Sequence, residues 1–222
     1  LHTAGGELIR QCTIDSAWDL DLGDVEQQRL RDSACRSCAS GVARSHLLSY
    51  EHEGALLEEL FTHDGSGTLI AQNPYEQARS ADINDIASIV ELIRPLEDSG
   101  ALVKRSRERL EEEIGYFSIL ERDGRVLACA ALYPYEAESV GEIACVATHP
   151  DYRGTGRARQ LLDELIAEAK ALSLTHVFVL TTQSTHWFLE QGFEAASPDD
   201  LPVEKQQLYN WQRSAAVLRR TV

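Results

Sequence analysis

Apolar positions change their period along the chain, and each change predicts an element. Ile83, Ile86, Val90 and Ile93 recur at three- and four-residue spacing, which predicts a helix capped by Asp82. A second helix is predicted over Ser106–Glu113. "YFSILERDGRVLACAALYPY" (116–135) reads as two strands joined at Asp123-Gly124, a dipeptide that suits a tight hairpin turn. "VGEIACVAT" (140–148) adds a strand. A longer helix follows, with Leu161, Leu162, Leu165, Ile166, Ala169 and Leu172 on one face. "HVFVL" (176–180) reads as a buried strand, and "THWFLEQ" as a short helix ended by Gly192. "FEAAS" (193–197) and "KQQLYNW" (205–211) are expected to be the last strands.

The pattern before residue 73 is sparser. A Gly-Gly turn precedes a strand expected at Glu7–Gln11, and a helix over Val25–Ser40 ends at Gly41. A strand (44–50), the short helix "GALLEELF" (54–61), the turn "HDGSG" and the run "TLI" complete it. Asn73-Pro74 is a turn signal. It divides the chain into an α/β portion, 1–72, too short for a complete doubly wound domain, and an α+β portion, 73–222. The element order of the second portion gives a mixed, mostly antiparallel sheet flanked by helices, not a Rossmann alternation.

The 222 residues are 43% hydrophobic and 26% charged, as in ordinary soluble domains. No apolar run is long enough to cross a membrane, and the first residues lack the pattern of a signal peptide. Methionine is absent and the opening reads mid-domain, so the chain is expected to be a piece of a longer product. Five cysteines, an odd number, argue against a secreted disulfide scaffold. Cys35-x-x-Cys38 has no second pair and falls on a helical segment, so no metal site is expected. Cytoplasmic residence follows from these readings. A net charge of −15 excludes nucleic acid as the main partner.

Against that acidic background the stretch Arg153-Gly154-Thr155-Gly156-Arg157-Ala158-Arg159 stands out. It links a strand ending at Thr148 to a helix beginning near Gly156. Helix-initial N–H groups are unpartnered and carry partial positive charge. Glycines let an anion approach them, and arginines add charge-assisted contacts. The residues therefore read as a pyrophosphate cradle. There is no GK[ST], and no GxGxxG followed by a ribose-binding acid.

The loop resembles R/Q-x-x-G-x-G/A, the signature of the GNAT acetyltransferase superfamily, with Arg153, Gly156 and Ala158 in its defined places. That resemblance implies acetyl-CoA as cosubstrate. Its pyrophosphate would lie on the N–H groups of residues 154–159, and its pantetheine arm along Ile143–Ala147, past Cys145 and Val146. Glu142, just ahead of the loop, is the expected general base. Cys145 is read as a buried structural thiol, since no activating base is nearby. Thr181 and Thr182 are the hydroxyls available to stabilise a leaving thiolate.

A closer resemblance covers nearly all of 75–222. "LVKRSRERLEEEI", "GEIACVATHPDYRGTG", "LTTQSTHWFLEQGF" and "LPVEKQQLYNWQRSAAVL" are similar to the acetyltransferase domain of the bacterial N-acetylglutamate synthase family. The upstream "SHLLSYEHEGALLEELFTHDGSGTLI" resembles the end of that family's amino-acid-kinase-like domain. The resemblance implies acetylation of L-glutamate, the first step of arginine biosynthesis. Glu142 would then be the base and Thr181 the acid. Arg105 and Arg213 would be the substrate-binding cations, with Lys104 as a neighbour of Arg105, and Tyr209 would line the pocket. It also implies L-arginine as an effector at His46, Glu59 and Gly65, and a homo-oligomer of the full-length protein. Two alternatives remain at this level. One is a GNAT enzyme acting on another small amine or a protein N-terminus. The other is an arginine-sensing module with an inactive transferase half.

Overall fold

The computed structural model describes residues 1–62, 65–72, 76–208 and 215–222. They form two compact units, Leu1–Glu76 and Gln77–Val222.

The first unit contains β1 (Gln11–Thr13), α1 (Ile14–Trp18), α2 (Val25–Ala39), β2 (Arg44–Leu47), α3 (Ala55–Phe61) and β3 (Thr68–Ala71). β3 is central, parallel to β1 and antiparallel to β2. The expected strand at Glu7–Gln11 is not formed as such. Pairing begins at Gln11, and the segment before it makes an isolated bridge, His2 to Leu8. α1 follows because Thr13 and Ser16 cap one another reciprocally, a local polar signal with no apolar period. Cys35 and Cys38 lie three apart on α2 and are buried with Ala17, Leu22 and Ile70. The Cys38 thiol donates to the Ile70 carbonyl at 3.3 Å.

The second unit carries β4 (Gln77–Ser80), α4 (Ile86–Asp98), α5 (Arg107–Glu113), β5 (Phe117–Arg122), β6 (Arg125–Tyr135), β7 (Val140–Thr148), α6 (Arg157–Ala171), β8 (His176–Thr181), α7 (Thr185–Glu190), β9 (Glu194–Ala196), α8 (Val203–Leu208) and β10 (Ala216–Thr221). Its sheet runs β4-β5-β6-β7-β8-β10-β9. Every neighbouring pair is antiparallel except β7–β8. The α+β class and the mixed sheet expected from the element order are therefore present.

Alternation along β6 sorts the two faces. Ala128, Ala130 and Leu132 pack with Leu161, Leu162, Leu165 and Ile166 of α6. Cys129 and Ala131 pack with Ile89, Leu92 and Ile93 of α4. The β5–β6 turn has Asp123 at φ 52 and Gly124 at φ 76, the left-handed pair that an Asp-Gly hairpin needs. Two helix expectations are trimmed. Ile83 sits in a 3-10 turn and is exposed, and Leu172 is an exposed C-cap.

The expected strand "KQQLYNW" is a correction. Its first four residues close the helix α8, and residues 209–211 lie outside the described residues. The final strand is instead "AVLRRT", pairing β8 on one side and β9 on the other. Lys-Gln-Gln offers no alternation and favours helix, and the Gln206 side chain donates to the Asp199 and Leu201 carbonyls.

β4 was also unexpected, since "QARS" has no strand pattern. It is held at the sheet edge by Arg79, which donates to both Asp85 oxygens at 2.7 and 2.8 Å and to Glu121 Oε2 at 2.7 Å. Those Arg79 bonds hold the Asp85 carboxyl below its usual range against the opposing effect of burial, aided by the Asp82 N–H. A depressed folded-state value adds stability above the unfolded value of about 3.9. That contribution disappears as pH falls through the folded value. Arg79→Met should cost about 1–3 kcal/mol at neutral pH. It should also flatten the acid-side decline of Tm below about pH 4, as measured by thermal melts. A wild-type melting curve across pH would remove Asp85 from this role.

Candidate active site

The parallel pairing of β7 with β8 lasts only from Val140↔His176 to Glu142↔Phe178. Beyond it the strands separate, while β8 stays paired with β10 along its whole length. The cause lies on the other edge of β7. Its register against β6 jumps between Ala131↔Ala144 and Cys129↔Ala147, so Cys145 and Val146 face the single residue Ala130. This is a β-bulge, with Cys145 at φ 54, and bulges bend and twist the strand that carries them. Side-chain parity shifts with it. Ile143 and Val146, three apart, both pack toward α6, and Cys145 and Ala147 pack toward α4.

The divergence opens a cleft of about 500 Å³. Ile143–Thr148 form one wall and Val179–Thr181 the other, with Trp187 and Phe188 nearby. On the β8 side, β7 has no strand partner beyond Glu142 among the described residues. Its backbone there is an open edge inside the cleft, suited to pairing with an extended, amide-bearing ligand.

Arg153, Gly154, Gly156, Arg157, Ala158 and Arg159 line the same cleft. Gly154 and Gly156 have φ of 75 and 84, values that L side chains rarely adopt. Gly156 is the N-cap of α6 and supplies no side-chain acceptor, so the helix-initial N–H groups keep their capacity for an anion. Thr155 donates to the Tyr152 carbonyl and lies beside Arg157. Arg153 donates to the Thr148 carbonyl at 3.3 Å. Arg159 is mostly exposed, 3.9 Å from Asp163.

Tyr152 was missed in the sequence. It is 3% exposed and lies between two guanidiniums, Arg122 and Arg157, each 4.9 Å from its ring. Arg122 also donates to its hydroxyl at 2.9 Å. An aromatic just ahead of an arginine-rich loop was the available signal.

Thr181 lies at the cleft end of β8. Its hydroxyl oxygen accepts the Ser184 N–H at 3.0 Å. The Thr182 hydroxyl is buried without a hydrogen-bond partner among the described residues and does not line the cleft.

Glu142 and Arg105 do not line the cleft. They cluster on the α4–α5 side of β7. Glu142 is buried, and its Oε2 accepts from Lys205 Nζ at 2.6 Å and from the Tyr135 hydroxyl at 3.4 Å. Lys205 on α8 was also missed; it is 63 residues from its partner. Arg105 donates to the Val103 carbonyl at 3.2 Å and stands 3.7 Å from Glu113. Burial opposes its charge, but Cys145, Tyr133 and Glu113 more than offset this, and its pKa is raised. Both groups act electrostatically on Cys145. Burial, only partly opposed by Arg105 and reinforced by Glu142 and Glu113, pushes its thiol up to about 11. At neutral pH it is a thiol, not a nucleophile. Arg213 and Tyr209 lie outside the described residues.

In the first unit, His46, Glu59 and Gly65 come together. Glu59 Oε1 meets His46 Nδ1 at 2.5 Å, and Oε2 accepts the Ser66 and Gly67 N–H groups at 2.8 and 3.0 Å. Burial of Glu59 is outweighed by these bonds, which hold its carboxyl below the usual range. A Cβ on Gly65 would overlap the carboxylate, so glycine is needed there. No metal-holding group of His, Cys, Asp or Glu occurs among the described residues, and no helix there is long and apolar enough to cross a membrane.

Amino-acid acetyltransferases of Yersinia pseudotuberculosis and Yersinia pestis are 55% identical over 205 residues, 92% of this chain and 46% of theirs. The chain thus spans about half the length of the curated relatives it matches. N-acetylglutamate synthase from Neisseria gonorrhoeae, complexed with coenzyme A and L-arginine, superposes with a TM-score of 0.83 at 37% identity. That match covers 100% of this chain and 51% of that one. The same enzyme with coenzyme A and N-acetyl-glutamate gives 0.66 at 38% identity, over 100% and 53%. The model of the acetyltransferase (GNAT) family matches residues 83–193. Both walls of the cleft and the glycine loop at its mouth fall inside that span, and the chain belongs to the acetyltransferase (GNAT) family.

Proposed function

We propose that the chain transfers the acetyl group of acetyl-CoA to the α-amine of L-glutamate, giving N-acetyl-L-glutamate and CoA, the first step of arginine biosynthesis. The observation that carries this reading is the opened β7–β8 cleft. One wall is an unpaired strand edge and the mouth is the uncapped, arginine-flanked start of α6. That combination fits a long ligand with amides along its arm and a pyrophosphate at one end. Glutamate as acceptor draws on the relatives named above and on Arg105, a cation suited to a planar carboxylate.

In this reading Glu142 takes the proton that the α-ammonium must lose before it attacks the thioester carbonyl. The amine nitrogen forms the new bond, the carbon–sulfur bond breaks, and the second proton lost by that nitrogen passes through the Thr181 hydroxyl to the leaving thiolate, so that Glu142 holds one proton, CoA the other, and Thr181 ends as it began. Positioning by the cleft provides much of the rate, since the amine acts directly and needs no protein nucleophile. We assign residues 1–72 to the end of an amino-acid-kinase-like domain, with His46, Glu59 and Gly65 as an L-arginine effector site. We also assign a homo-oligomer to the full-length protein.

Acetyl-CoA-dependent thiol release, measured over a panel of amines, tests the acceptor. Glutamate should exceed aspartate, glutamine and polyamines in kcat/KM. A flat profile, or a preference for polyamines or peptide N-termini, would replace glutamate with another amine.

A further inference from the structure

The ion pair on the expected base is the starting point. Glu142 is buried on β7, and Lys205 reaches it from α8 at 2.6 Å. The Lys205 side chain is 23% exposed. α8 is tied down where it begins. The Val203 N–H donates to Glu138 on the β6–β7 turn at 3.4 Å, and Gln206 donates to the Leu201 carbonyl at 2.7 Å. The Lys205 ammonium occupies Glu142 Oε2. Glu142 therefore has to leave Lys205 before it can take a proton from an amine. Simple separation would strand two charges in a poorly solvated place, which is strongly unfavourable.

An amino acid avoids that cost because it brings both partners. Its ammonium matches Glu142 and its carboxylate matches Lys205. We infer that Lys205 is a specificity-determining residue: an acceptor carboxylate takes its ammonium from Glu142, so the base is released only to amines that carry a carboxylate. This rests on Glu142 being the base and on glutamate being the acceptor. The exchange replaces one ion pair by two and leaves no charge unpaired. An amine without a carboxylate takes Glu142 and leaves Lys205 unmatched. Arg105, whose Nε is buried without a hydrogen-bond partner among the described residues, remains available for a second carboxylate.

Among the described residues, few charged or titratable groups face Glu142. Lys205 approaches from α8, the Tyr135 hydroxyl from β6, and Cys145 lies on its own strand. Glu204 and Glu113 act on Tyr135, pushing its hydroxyl up beyond the phenol range together with burial, the largest cause, and Glu142. Tyr135 is thus a hydrogen-bond donor throughout the working range and does not compete as a charge.

The test uses Lys205→Met and Lys205→Arg, with steady-state kinetics on glutamate and on its two monoamides, isoglutamine and glutamine. Lys205→Met should raise glutamate KM about 10–100-fold, the worth of one charged hydrogen bond, with acetyl-CoA KM unchanged. The preference for glutamate over one of the two monoamides should shrink by the same factor. Lys205→Arg should keep the preference and lie between the two. An unchanged glutamate-to-monoamide ratio in Lys205→Met overturns the inference, as does an equal loss of preference in Lys205→Arg. If Lys205→Met melts early, the glutamate-to-monoamide ratio of Lys205→Arg decides alone. A wild-type enzyme with no preference for glutamate over both monoamides fails the acceptor assignment itself, a different result from a Lys205 variant that keeps a preference the wild type has.

Discussion

Glu142→Gln is expected to lower kcat about 100- to 10,000-fold, the range of a lost general base. The KM for acetyl-CoA should hold, because Glu142 lies outside the lining of the cleft. The substitution keeps an oxygen for Lys205 and for the Tyr135 hydroxyl, so folding should survive it. The acid limb of the wild-type pH profile should disappear, since that limb reports protonation of the base in the free enzyme. A Gln variant that keeps the limb would mean another group titrates there, and Glu142 would be reduced to an anchor for α8.

What the sequence made legible and what it did not divide by range of interaction. The hairpin at Asp123-Gly124, the α4 and α6 faces and the glycine loop are written in neighbours three to seven residues apart. Their elements formed close to the expected boundaries. The strands β4 and β10 carry no such pattern. One is fixed by the Arg79–Asp85–Glu121 contacts. The other is covered on both faces, Leu218 packing with the α6 core and Val217 with Phe178 and Leu201, so both are buried without alternating.

The site repeats this division. Arg153, Gly154, Gly156 and Arg157 announce themselves locally. The bulge at Cys145, which turns a strand into a cleft wall, depends on a register against β6 that no local motif specifies. Tyr152 becomes part of the loop through Arg122, 30 residues away, and Lys205 meets Glu142 across 63. Lysine on a short polar helix looks like a solvated face until the partner is known. The expected base was therefore named without the cation that restrains it.

Arg105→Ala should raise the KM for glutamate about 100-fold, roughly 2.7 kcal/mol, within the range for removing one partner of a buried charge pair. The geometry shows why this arginine has capacity left for a substrate. Glu113, its carboxylate neighbour, already accepts from Arg109 and from the Tyr133 hydroxyl, both at 2.7 Å. It reaches Arg105 only at 3.7 Å. The Arg105 Nε is buried without a hydrogen-bond partner among the described residues. A buried guanidinium N–H left unbonded is unfavourable unless something else takes it, and a planar carboxylate fits that fork. Arg105→Lys should recover part of the loss, because it restores the charge without the fork. Acetyl-CoA KM should stay within about twofold in both variants, well under the 1.4 kcal/mol of a tenfold change. If Arg105→Ala instead raises both KM values together and lowers Tm to match, the guanidinium is holding β6 to α5 through Tyr133 and Glu113, and the acceptor carboxylate is bound elsewhere.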